Sequence, residues 1–366
     1  MKKILLICNE SVTVINFRRE IIQFLKKEEW DVSVICGDSK YKDKIEQLGV
    51  TFYSRTYQNR SINPFQMLST KNYFRKVINI VKPDVIFTFQ LKPNIFGALA
   101  GKKSGIPILS MVEGLGDPFI QKKRFGKIIR YVVTKLYRKA FKYVSKVFFL
   151  NDDDKLEFLK RKIVREEQII VIPGIGIDTK NYKFASTLAK EKRVVNLSRL
   201  LINKGIEDYC EIASLVHEKR PDIIFDLYGS EGQLTIADLS KYLSKNIINY
   251  KGYTENPAEV IINSRIVAST SYREGFPRVI MEAMALGRPT IAFDTVGTNR
   301  AVNDGSTGYL IKDRNLEQFA NRIIELIDDE QKLIELGTNA RNYCVENLDS
   351  NYVNKKIVAE IEKLLQ

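Results

Sequence analysis

Short apolar runs alternate with amphipathic stretches of helical spacing along the chain. In the first half, the runs that predict β-strands are 3–8, 31–36, 50–54, 84–89, 107–112, 145–150 and 168–172. Helices are predicted between them, near 16–28, 64–82, 93–104, 122–143 and 152–161. After Pro173 the pattern begins again, with strands predicted near 193–198, 222–229, 246–250, 265–270, 289–293 and 308–311. Strands that alternate with helices are typical of parallel sheets with crossover connections, so the pattern predicts an α/β fold.

The repeat of the pattern predicts two doubly wound, Rossmann-like domains. A length of 366 residues also favours two, because a domain usually has about 150. The Pro-Gly-Ile-Gly segment 173–176 predicts the hinge, which gives domains at 1–173 and 174–348. We expect their parallel sheets to face each other across a cleft at the carboxyl ends of the strands, where α/β sheets bind ligands.

Composition excludes several classes of protein. The chain is 44% apolar, as in globular proteins, and no window approaches the roughly 18 apolar residues of a membrane-spanning helix. The opening run meets Asn9 and Glu10 too early for a secretory signal. The four cysteines are far apart, which argues against a zinc site and fits a reducing compartment. We therefore expect a cytoplasmic protein.

Positive charge is concentrated in one half of the chain. The formal net charge is +14, and residues 1–173 hold 33 Lys and Arg against 17 Asp and Glu. Residues 174–366 hold 25 against 27, so the second half is close to neutral. A strong positive excess indicates a polyanionic partner, and here that partner belongs to the first half.

A loop and helix near residue 274 have the chemistry of an anion site. A predicted strand leads into Glu274, and Gly275, Phe276 and Pro277 follow it, with Pro277 expected in the first helical turn. Free backbone amides at a helix start can bind phosphate or sugar hydroxyls. Glu282 lies further along the helix, so two carboxylates would flank the pocket. The alternative is a buried helix with a capping acid.

A second cluster follows the first strand of the second half. Ser198 and Arg199 end that strand, and Lys204 comes one turn later. Arg199 could bind a diphosphate with two parallel hydrogen bonds, and Lys204 could add a point charge. Gly229 lies in a Gly-rich turn after the next strand. Each feature alone also fits an ordinary solvated loop.

Together these motifs resemble the retaining glycosyltransferases of family 4, which have the GT-B fold. The resemblance rests on Arg199 with Lys204, on the spacing of Glu274 and Glu282, and on the segments 275–277, 287–289 and 171–178. It implies that Glu274 contacts the donor sugar and that Glu282 binds the ribose hydroxyls. It also implies that Arg199 and Lys204 neutralise the donor diphosphate without a metal or other cofactor, and that a closing helix at about 349–366 packs on the first domain.

Motifs of the first half are similar to enzymes that build capsule, O-antigen or N-glycan units on undecaprenyl diphosphate, among them α-1,3-N-acetylgalactosaminyltransferases. They are the segments 63–65, 92–97, 105–107 and 112–116. This implies a nucleotide-sugar donor, UDP-linked, and a polyprenyl-diphosphate-linked glycan acceptor. The residues assigned to the acceptor are Asn9, Glu10, Lys92, Asn94 and Gly114. Glu113 stands about where many members have a histidine, so an acid–base role falls to Glu113, Glu10 or the donor phosphate.

The segment 121–146 has ten basic residues and no acidic one, with apolar residues at helical spacing. Such a helix can pack on the sheet and turn a basic face to an anionic surface. We expect this surface to be the inner leaflet of the cell membrane, which would make the protein peripheral. The cations assigned to it are Lys122, Lys123, Arg124, Lys127 and Arg130. Nucleic acid is the weaker alternative because no nucleic-acid-binding module accompanies the charge.

Two other functions fit parts of the pattern. A nucleotide-sugar 2-epimerase of similar fold would bind the same donor and need no lipid acceptor. A basic scaffold or nucleic-acid-binding protein would not depend on Glu282. The donor sugar also stays open: UDP-N-acetylgalactosamine follows from the resemblance alone, and UDP-galactose, UDP-N-acetylglucosamine and GDP-mannose are the alternatives.

Overall fold

A computed structural model describes residues 1–55, 64–116, 119 and 124–366 of the chain. These residues form two compact units. The first unit is Met1–Ile175 together with Ser350–Gln366, and the second unit is Gly176–Asp349. The break after Ile175 lies within the Pro-Gly-Ile-Gly segment 173–176.

The first unit contains a parallel sheet that, in the described part of the chain, has seven strands. They are β1 Lys3–Ile7, β2 Asp31–Cys36, β3 Thr51–Ser54, β4 Val85–Phe89, β5 Ile108–Val112, β6 Lys146–Phe149 and β7 Ile169–Val171. The helices between them are α1 Ser11–Phe17, α2 Arg19–Lys27, α3 Lys42–Glu46, α4 Pro64–Val81, α5 Leu91–Gly101, α6 Arg124–Phe141 and α7 Asp152–Lys160. A 3-10 turn at Glu166–Gln168 precedes β7.

The order of the strands in this sheet is β3-β2-β1-β4-β5-β6-β7. The chain therefore builds outward from β1 in one direction and from β4 in the other. All residues of β4 and β5 are buried, as expected for central strands covered by helices on both faces. Open α/β sheets bind ligands where the strand order reverses, so the carboxyl ends of β1 and β4 are the place to look for a site.

The second unit contains six described strands, also all parallel. They are β8 Arg193–Leu197, β9 Ile224–Tyr228, β10 Asn249–Gly252, β11 Ile266–Ser269, β12 Thr290–Phe293 and β13 Gly308–Ile311, in the order β10-β9-β8-β11-β12-β13. The helices are α8 Ile206–Lys219, α9 Ser240–Leu243, α10 Pro257–Ile262, α11 Arg278–Leu286, α12 Thr298–Ala301, α13 Leu316–Ile327 and α14 Glu330–Asn347. Three 3-10 turns lie at Ile202–Lys204, Ile236–Leu239 and Lys312–Arg314.

The last helix, α15 Ser350–Lys363, belongs to the first unit. It packs on α2, and Lys2 Nζ lies 2.7 Å from a carboxylate oxygen of Glu362. Val353, Ile357 and Ile361 of α15 are buried, so the apolar residues at helical spacing form its packed face.

The strands predicted from the apolar runs are confirmed, and the differences are local. The strand expected at 246–250 lies at Asn249–Gly252, because its exposed edge position leaves little apolar signal. The helix expected at 16–28 is α2 Arg19–Lys27, and the preceding helix α1 Ser11–Phe17 was not predicted; the backbone of Arg18 between them leaves helical geometry with φ −125° and ψ −5°. The five-residue helix α3 was not predicted, because it is too short to show a period.

Candidate active site

Three strand ends of the second unit bring the predicted donor residues to one edge of the sheet. Ser198 follows β8, Gly229 follows β9, and the loop that carries Glu274 follows β11. The Ser198 amide donates to the Tyr228 carbonyl over 2.9 Å. Gly229 has a φ of +152°, and a Cβ there would lie 1.9 Å from the Ser198 carbonyl oxygen. Only glycine fits where these loops meet.

Lys204 is held by the loop after β11. Gly205 has a φ of +63°, and a Cβ there would lie 2.1 Å from the Thr270 carbonyl oxygen. The Thr270 hydroxyl donates to the Lys204 carbonyl over 3.1 Å, and the Tyr272 amide donates to the Asn203 carbonyl over 3.0 Å. The turn 202–205 is therefore fixed against this loop by backbone contacts.

Lys204 and Glu274, predicted from separate motifs, form an ion pair. Both side chains are mostly buried. The Glu274 amide donates to the Val296 carbonyl over 2.9 Å, and Gly297 approaches Glu274 so closely that a Cβ would lie 2.4 Å from its carbonyl oxygen. The carboxylate thus stands on a loop fixed from two sides.

The start of α11 differs slightly from the prediction. Gly275, Phe276 and Pro277 are buried, and the helix begins at Arg278. Pro277 is the capping residue and not part of the first turn, because its ψ of 117° is extended. Its carbonyl accepts from the amides of Ile280 and Met281. The expectation that Pro277 lies inside the helix was therefore wrong by one position.

Glu282 lies in the second turn of α11, and its side chain is only 8% exposed. Its Oε1 accepts from the Tyr182 hydroxyl and from Arg278 Nε, each over 3.0 Å. Burial, and next the Glu282 carboxylate, raise the pKa of Tyr182 to about 12, so the phenol stays protonated and donates. Tyr182 was missed in the sequence because it lies 100 residues away, with no motif around it.

Arg199 differs from these paired groups. It is exposed and makes no ion pair with any described residue. Its guanidinium is therefore available to an anion from solvent, next to the junction of Ser198 and Gly229.

In the first unit, the predicted acceptor residues follow β1, β4 and β5. Asn9 comes after β1, and its amide donates to Oε1 of Gln90, the residue that follows β4, over 3.0 Å. Gln90 has a φ of +70°, which is uncommon for a residue with a side chain. The buried Oδ1 of Asn9 has no hydrogen-bond partner among the described residues. An uncommon backbone conformation at Gln90 and an unsatisfied oxygen at Asn9 therefore occur together at the carboxyl ends of β1 and β4, where the strand order reverses.

The other predicted acceptor residues differ in accessibility. Glu10 precedes α1, and its carbonyl accepts from Thr13. Lys92, near the start of α5, is half-buried, and burial lowers its pKa. Asn94 is fully buried and is hydrogen-bonded to Thr88 and to the Met111 carbonyl. The amide of Asn94 therefore joins α5 to the interior of the sheet, and the structure gives no support to its assignment to the acceptor.

Glu113 and Gly114 follow β5. Gly114 has a φ of +139°, a conformation that favours glycine. The Glu113 carboxylate forms an ion pair with Arg18, which is buried. Arg18 was not singled out in the sequence, although its spacing from Val14 and Ile22 places it on the apolar side of the helical pattern.

Comparison with known proteins now identifies the family. Residues 178–343 match the model of the group 1 glycosyl transferases, and residues 3–151 match the glycosyl transferase 4-like model. The chain is a family 4-type glycosyltransferase. The epimerase alternative is not favoured, since curated relatives along the whole chain are transferases.

Two relatives of this glycosyltransferase act on sugars linked to undecaprenyl diphosphate. The N,N'-diacetylbacillosaminyl-diphospho-undecaprenol α-1,3-N-acetylgalactosaminyltransferase of Campylobacter jejuni is 27% identical over 97% of this chain and 96% of its own. The UDP-Gal:α-D-GlcNAc-diphosphoundecaprenol α-1,3-galactosyltransferase of Escherichia coli is 26% identical over 93% of this chain and 89% of its own.

Solved structures show that the fold of the glycosyltransferase is GT-B. HepE of Anabaena, in complex with UDP and glucose, superposes with a TM-score of 0.82 at 20% identity and covers 99% of this chain and 100% of its own. The sucrose-phosphate synthase of Thermosynechococcus elongatus gives a TM-score of 0.84 at 17% identity, over 100% of this chain and 99% of its own.

The basic helix α6 of the glycosyltransferase buries only part of the apolar face that the sequence predicts. Val133, Tyr137 and Ala140 are buried, whereas Ile128 and Tyr131 are 59% and 60% exposed. Of the apolar residues expected to pack, Tyr137, Ala140 and Val144 are buried, whereas Ile128, Val132 and Tyr143 are exposed, because several rotations of the helix satisfy the same spacing. Lys127 is exposed and Arg130 is partly exposed. Lys122, Lys123 and the side chain of Arg124 lie outside the described residues.

In the described ranges, no helix of the glycosyltransferase combines the length and the apolar character that a membrane span requires. A cluster of basic residues from α4, α6 and the carboxyl end of α5 lies on the first unit. Burial lowers the pKa of Lys71 of α4, and the charges of Arg75, Lys102 and Lys139 lower it further. Cations of α4, α5 and α6 therefore lie close enough to repel one another.

A cavity of about 890 Å³ on the second unit lies apart from the predicted donor residues. It is lined by Arg193, Asp226, Lys251 and Glu259, among others. The buried Asp226 carboxylate forms an ion pair with Arg193 and accepts from Asn249 Nδ2 over 3.0 Å. Asp226 is therefore already paired within the second unit.

Proposed function

We propose that this glycosyltransferase moves a hexose or N-acetylhexosamine from a nucleotide diphosphate sugar, UDP-linked, to a lipid-diphosphate-linked sugar, with retention at the anomeric carbon. The observation that carries the proposal is the arrangement at the strand ends of the second unit. Arg199 and Lys204 lie in the turn after β8, Glu274 lies in the loop after β11, and Glu282 lies on the helix α11 that follows this loop.

Each of these groups has a task in the transfer. The oxygen of an acceptor hydroxyl forms a bond to the anomeric carbon, and its proton passes to an oxygen of the departing diphosphate. The bond between the anomeric carbon and the diphosphate breaks, so negative charge develops on the leaving nucleoside diphosphate. Arg199 is exposed and unpaired with any described acid, and we assign it to the diphosphate together with Lys204. Positive groups that are already in place when charge develops stabilise the transition state.

Without donor, Lys204 is neutralised by Glu274. We propose that the bound diphosphate shares the ammonium group, and that Glu274 then turns an oxygen to the sugar hydroxyls. Glu282 is assigned to the ribose hydroxyls, with Tyr182 and Arg278 fixing its carboxylate. No carboxylate is assigned as a covalent nucleophile, so attack on the same face as the departing phosphate is the proposed route to retention.

The test uses the purified full-length chain with a panel of nucleotide sugars. A donor at 100 times its dissociation constant should stabilise the protein by about 2.7 kcal/mol. Release of nucleoside diphosphate should require a lipid-diphosphate sugar, and NMR of the product should show the donor's anomeric configuration. Release without acceptor and with a converted donor sugar would instead indicate an epimerase, and no donor binding would refute the proposal.

Tyr182→Phe is expected to weaken donor binding about tenfold and to leave kcat within about threefold. The substitution removes one hydrogen bond to the Glu282 carboxylate and keeps the ring, and a hydrogen bond to a charged group contributes about 1.5–3 kcal/mol. Calorimetric titration with UDP measures the effect. Tyr253→Phe, on an exposed tyrosine of the same unit, is the control. Equal affinities of both variants would contradict the assignment of Tyr182.

We assign the acceptor to the first unit. The relatives named above act on undecaprenyl-diphosphate-linked sugars, and the positive excess lies in this half of the chain. Asn9, Glu10, Lys92, Glu113 and Gly114 surround the strand ends where the order reverses. Asn94 is left out because it is buried.

We further propose peripheral attachment of the first unit to the anionic cytoplasmic leaflet. Helix α6 exposes Ile128, Tyr131 and Val132 beside Lys127 and Lys135, which gives apolar and cationic groups on one outer surface. Apolar side chains can enter the headgroup region while cations bind anionic lipids. An acceptor held on a lipid would then be presented at this surface.

Lys127→Glu combined with Lys135→Glu is expected to weaken binding to anionic liposomes at least thirtyfold. Each cation near such a surface contributes about 1 kcal/mol, and two are removed. Flotation with phosphatidylglycerol vesicles measures binding. Lys26→Glu with Lys27→Glu, on exposed positions of α2, is the matched control. Equal binding of wild type to neutral and anionic vesicles would contradict the electrostatic attachment.

A further inference from the structure

Arg18 is one of the largest fully buried side chains of the molecule. It lies between α1 and α2 in the chain. Its guanidinium contacts residues at the carboxyl ends of β4 and β5. It stacks over the ring of Phe89, the last residue of β4, with 4.0 Å between the guanidinium carbon and the ring centroid. Its Nη1 donates to the Phe17 carbonyl over 2.8 Å.

The carboxylate that balances this charge is Glu113, after β5. Cys8, after β1, also lies close to Arg18, but burial raises the pKa of its thiol to about 12, so it stays neutral. Arg18 Nε and Nη2 have no hydrogen-bond partner in the described part of the chain, so the contact of Nη2 with Glu113 is an ion pair without hydrogen-bond geometry. Glu113 is therefore the anion that makes a buried guanidinium tolerable here.

The pair is unequal in exposure. The side chain of Arg18 is 2% exposed and that of Glu113 is 19% exposed. The pair Arg193–Asp226 of the second unit is the reverse, with a buried acid and a more exposed base. In the first unit, the buried cation of Arg18 thus pairs with the partly exposed carboxylate of Glu113. This carboxylate follows β5, next to the point where the strand order reverses.

We propose that Arg18 is a positioning residue that fixes the Glu113 carboxylate to receive the acceptor. The ion pair with Arg18 holds the Glu113 side chain in place, and we assign its carboxylate to accept a hydrogen bond from the attacking sugar hydroxyl. The inference rests on the proposed function and selects Glu113 over Glu10 as the acceptor-side carboxylate. The selection rests on the buried cation that holds Glu113.

The experiment compares Arg18→Met, Arg18→Lys, Glu113→Gln and the double variant Arg18→Met with Glu113→Gln. Arg19→Met is the matched control, because Arg19 is the next residue and is exposed. Transfer is measured with purified full-length protein, a UDP-sugar donor and a synthetic polyprenyl-diphosphate sugar, and UDP binding and thermal unfolding are measured for each variant.

We expect Arg18→Met and Glu113→Gln each to lower kcat/KM for the acceptor about 100-fold, as for the loss of one group that acts in the transition state. UDP affinity should not change. The double variant should be no slower than the slower single one, since both changes remove the same arrangement. Arg18→Lys should recover about tenfold over Arg18→Met, and Arg19→Met should match wild type.

A merely structural role gives a different result. Arg18→Met would then lower the unfolding temperature while the folded enzyme kept its kcat/KM, or the two single effects would multiply, and either outcome overturns the inference. If Arg18→Met does not fold, Glu113→Gln and Arg18→Lys decide in the same way. A wild-type chain that transfers no sugar refutes the proposed function and this inference together, whereas an active wild type with uncoupled variants refutes only the inference.

Discussion

Lys204→Ala is expected to lower kcat about 10²- to 10³-fold, the loss seen when one group that stabilises developing charge is removed. The ammonium group of Lys204 is fixed by the turn 202–205 and is mostly buried with Glu274. In the variant, the leaving diphosphate is no longer stabilised by the Lys204 ammonium group, which in the wild type is already in place before charge develops. The steady-state rate of nucleoside diphosphate release at saturating donor and acceptor measures kcat.

The variant also leaves Glu274 without its ion-pair partner, so folding must be checked separately. Lys204→Ala combined with Glu274→Gln removes both charges and should restore stability without restoring kcat, which separates the two effects. Lys245→Ala, at an exposed position of the second unit, is the control and should behave like wild type. A Lys204→Ala enzyme with wild-type kcat would show that the lysine serves only to pair with Glu274.

The fold was predictable from the sequence because parallel strands that are buried on both faces are continuous apolar runs. β4 and β5 are fully buried and stand out for this reason. The edge strand β10, with Asn249 and Lys251 exposed, gave a weaker signal, and its predicted position was off by up to three residues.

Side-chain partners were predictable only within a motif. Glu274 and Glu282 were found through their spacing, but the ion pair of Lys204 with Glu274 joins residues 70 apart. Arg18 and Glu113 are further apart still, and neither segment contains a motif that predicts their pairing. The sequence pattern contained one hint, since Arg18 interrupts an amphipathic stretch on its apolar side, where a charge requires a buried partner.

Accessibility was the property that sequence predicted least well. Asn94 and Lys92 are two residues apart at the start of α5, yet the first is interior and the second reaches the surface. In α6, the spacing fitted more than one helix rotation, and packing against α5 selected the face that contains Val133 and Tyr137. Both outcomes depend on neighbouring elements that a single segment does not specify.

Gly229→Ala is expected to destabilise the second unit by about 3 kcal/mol and to abolish measurable donor binding. The new Cβ would lie 1.9 Å from the Ser198 carbonyl oxygen and 3.1 Å from the Arg199 amide nitrogen, and all of these atoms are backbone. No side-chain rotation can relieve the contact, so the junction of the two loops must open. Chemical denaturation and titration with UDP measure the two effects.

Gly305→Ala is the matched control, because its φ is also positive, at +74°, and no atom lies within 4 Å of the added Cβ. It should lose only about 1 kcal/mol from the left-handed backbone conformation and keep its affinity for UDP. The comparison separates backbone strain from the close approach of Ser198 and Arg199. If Gly229→Ala is destabilised but binds UDP like Gly305→Ala, then the junction supports the fold alone, and Arg199 does not hold the diphosphate from this loop.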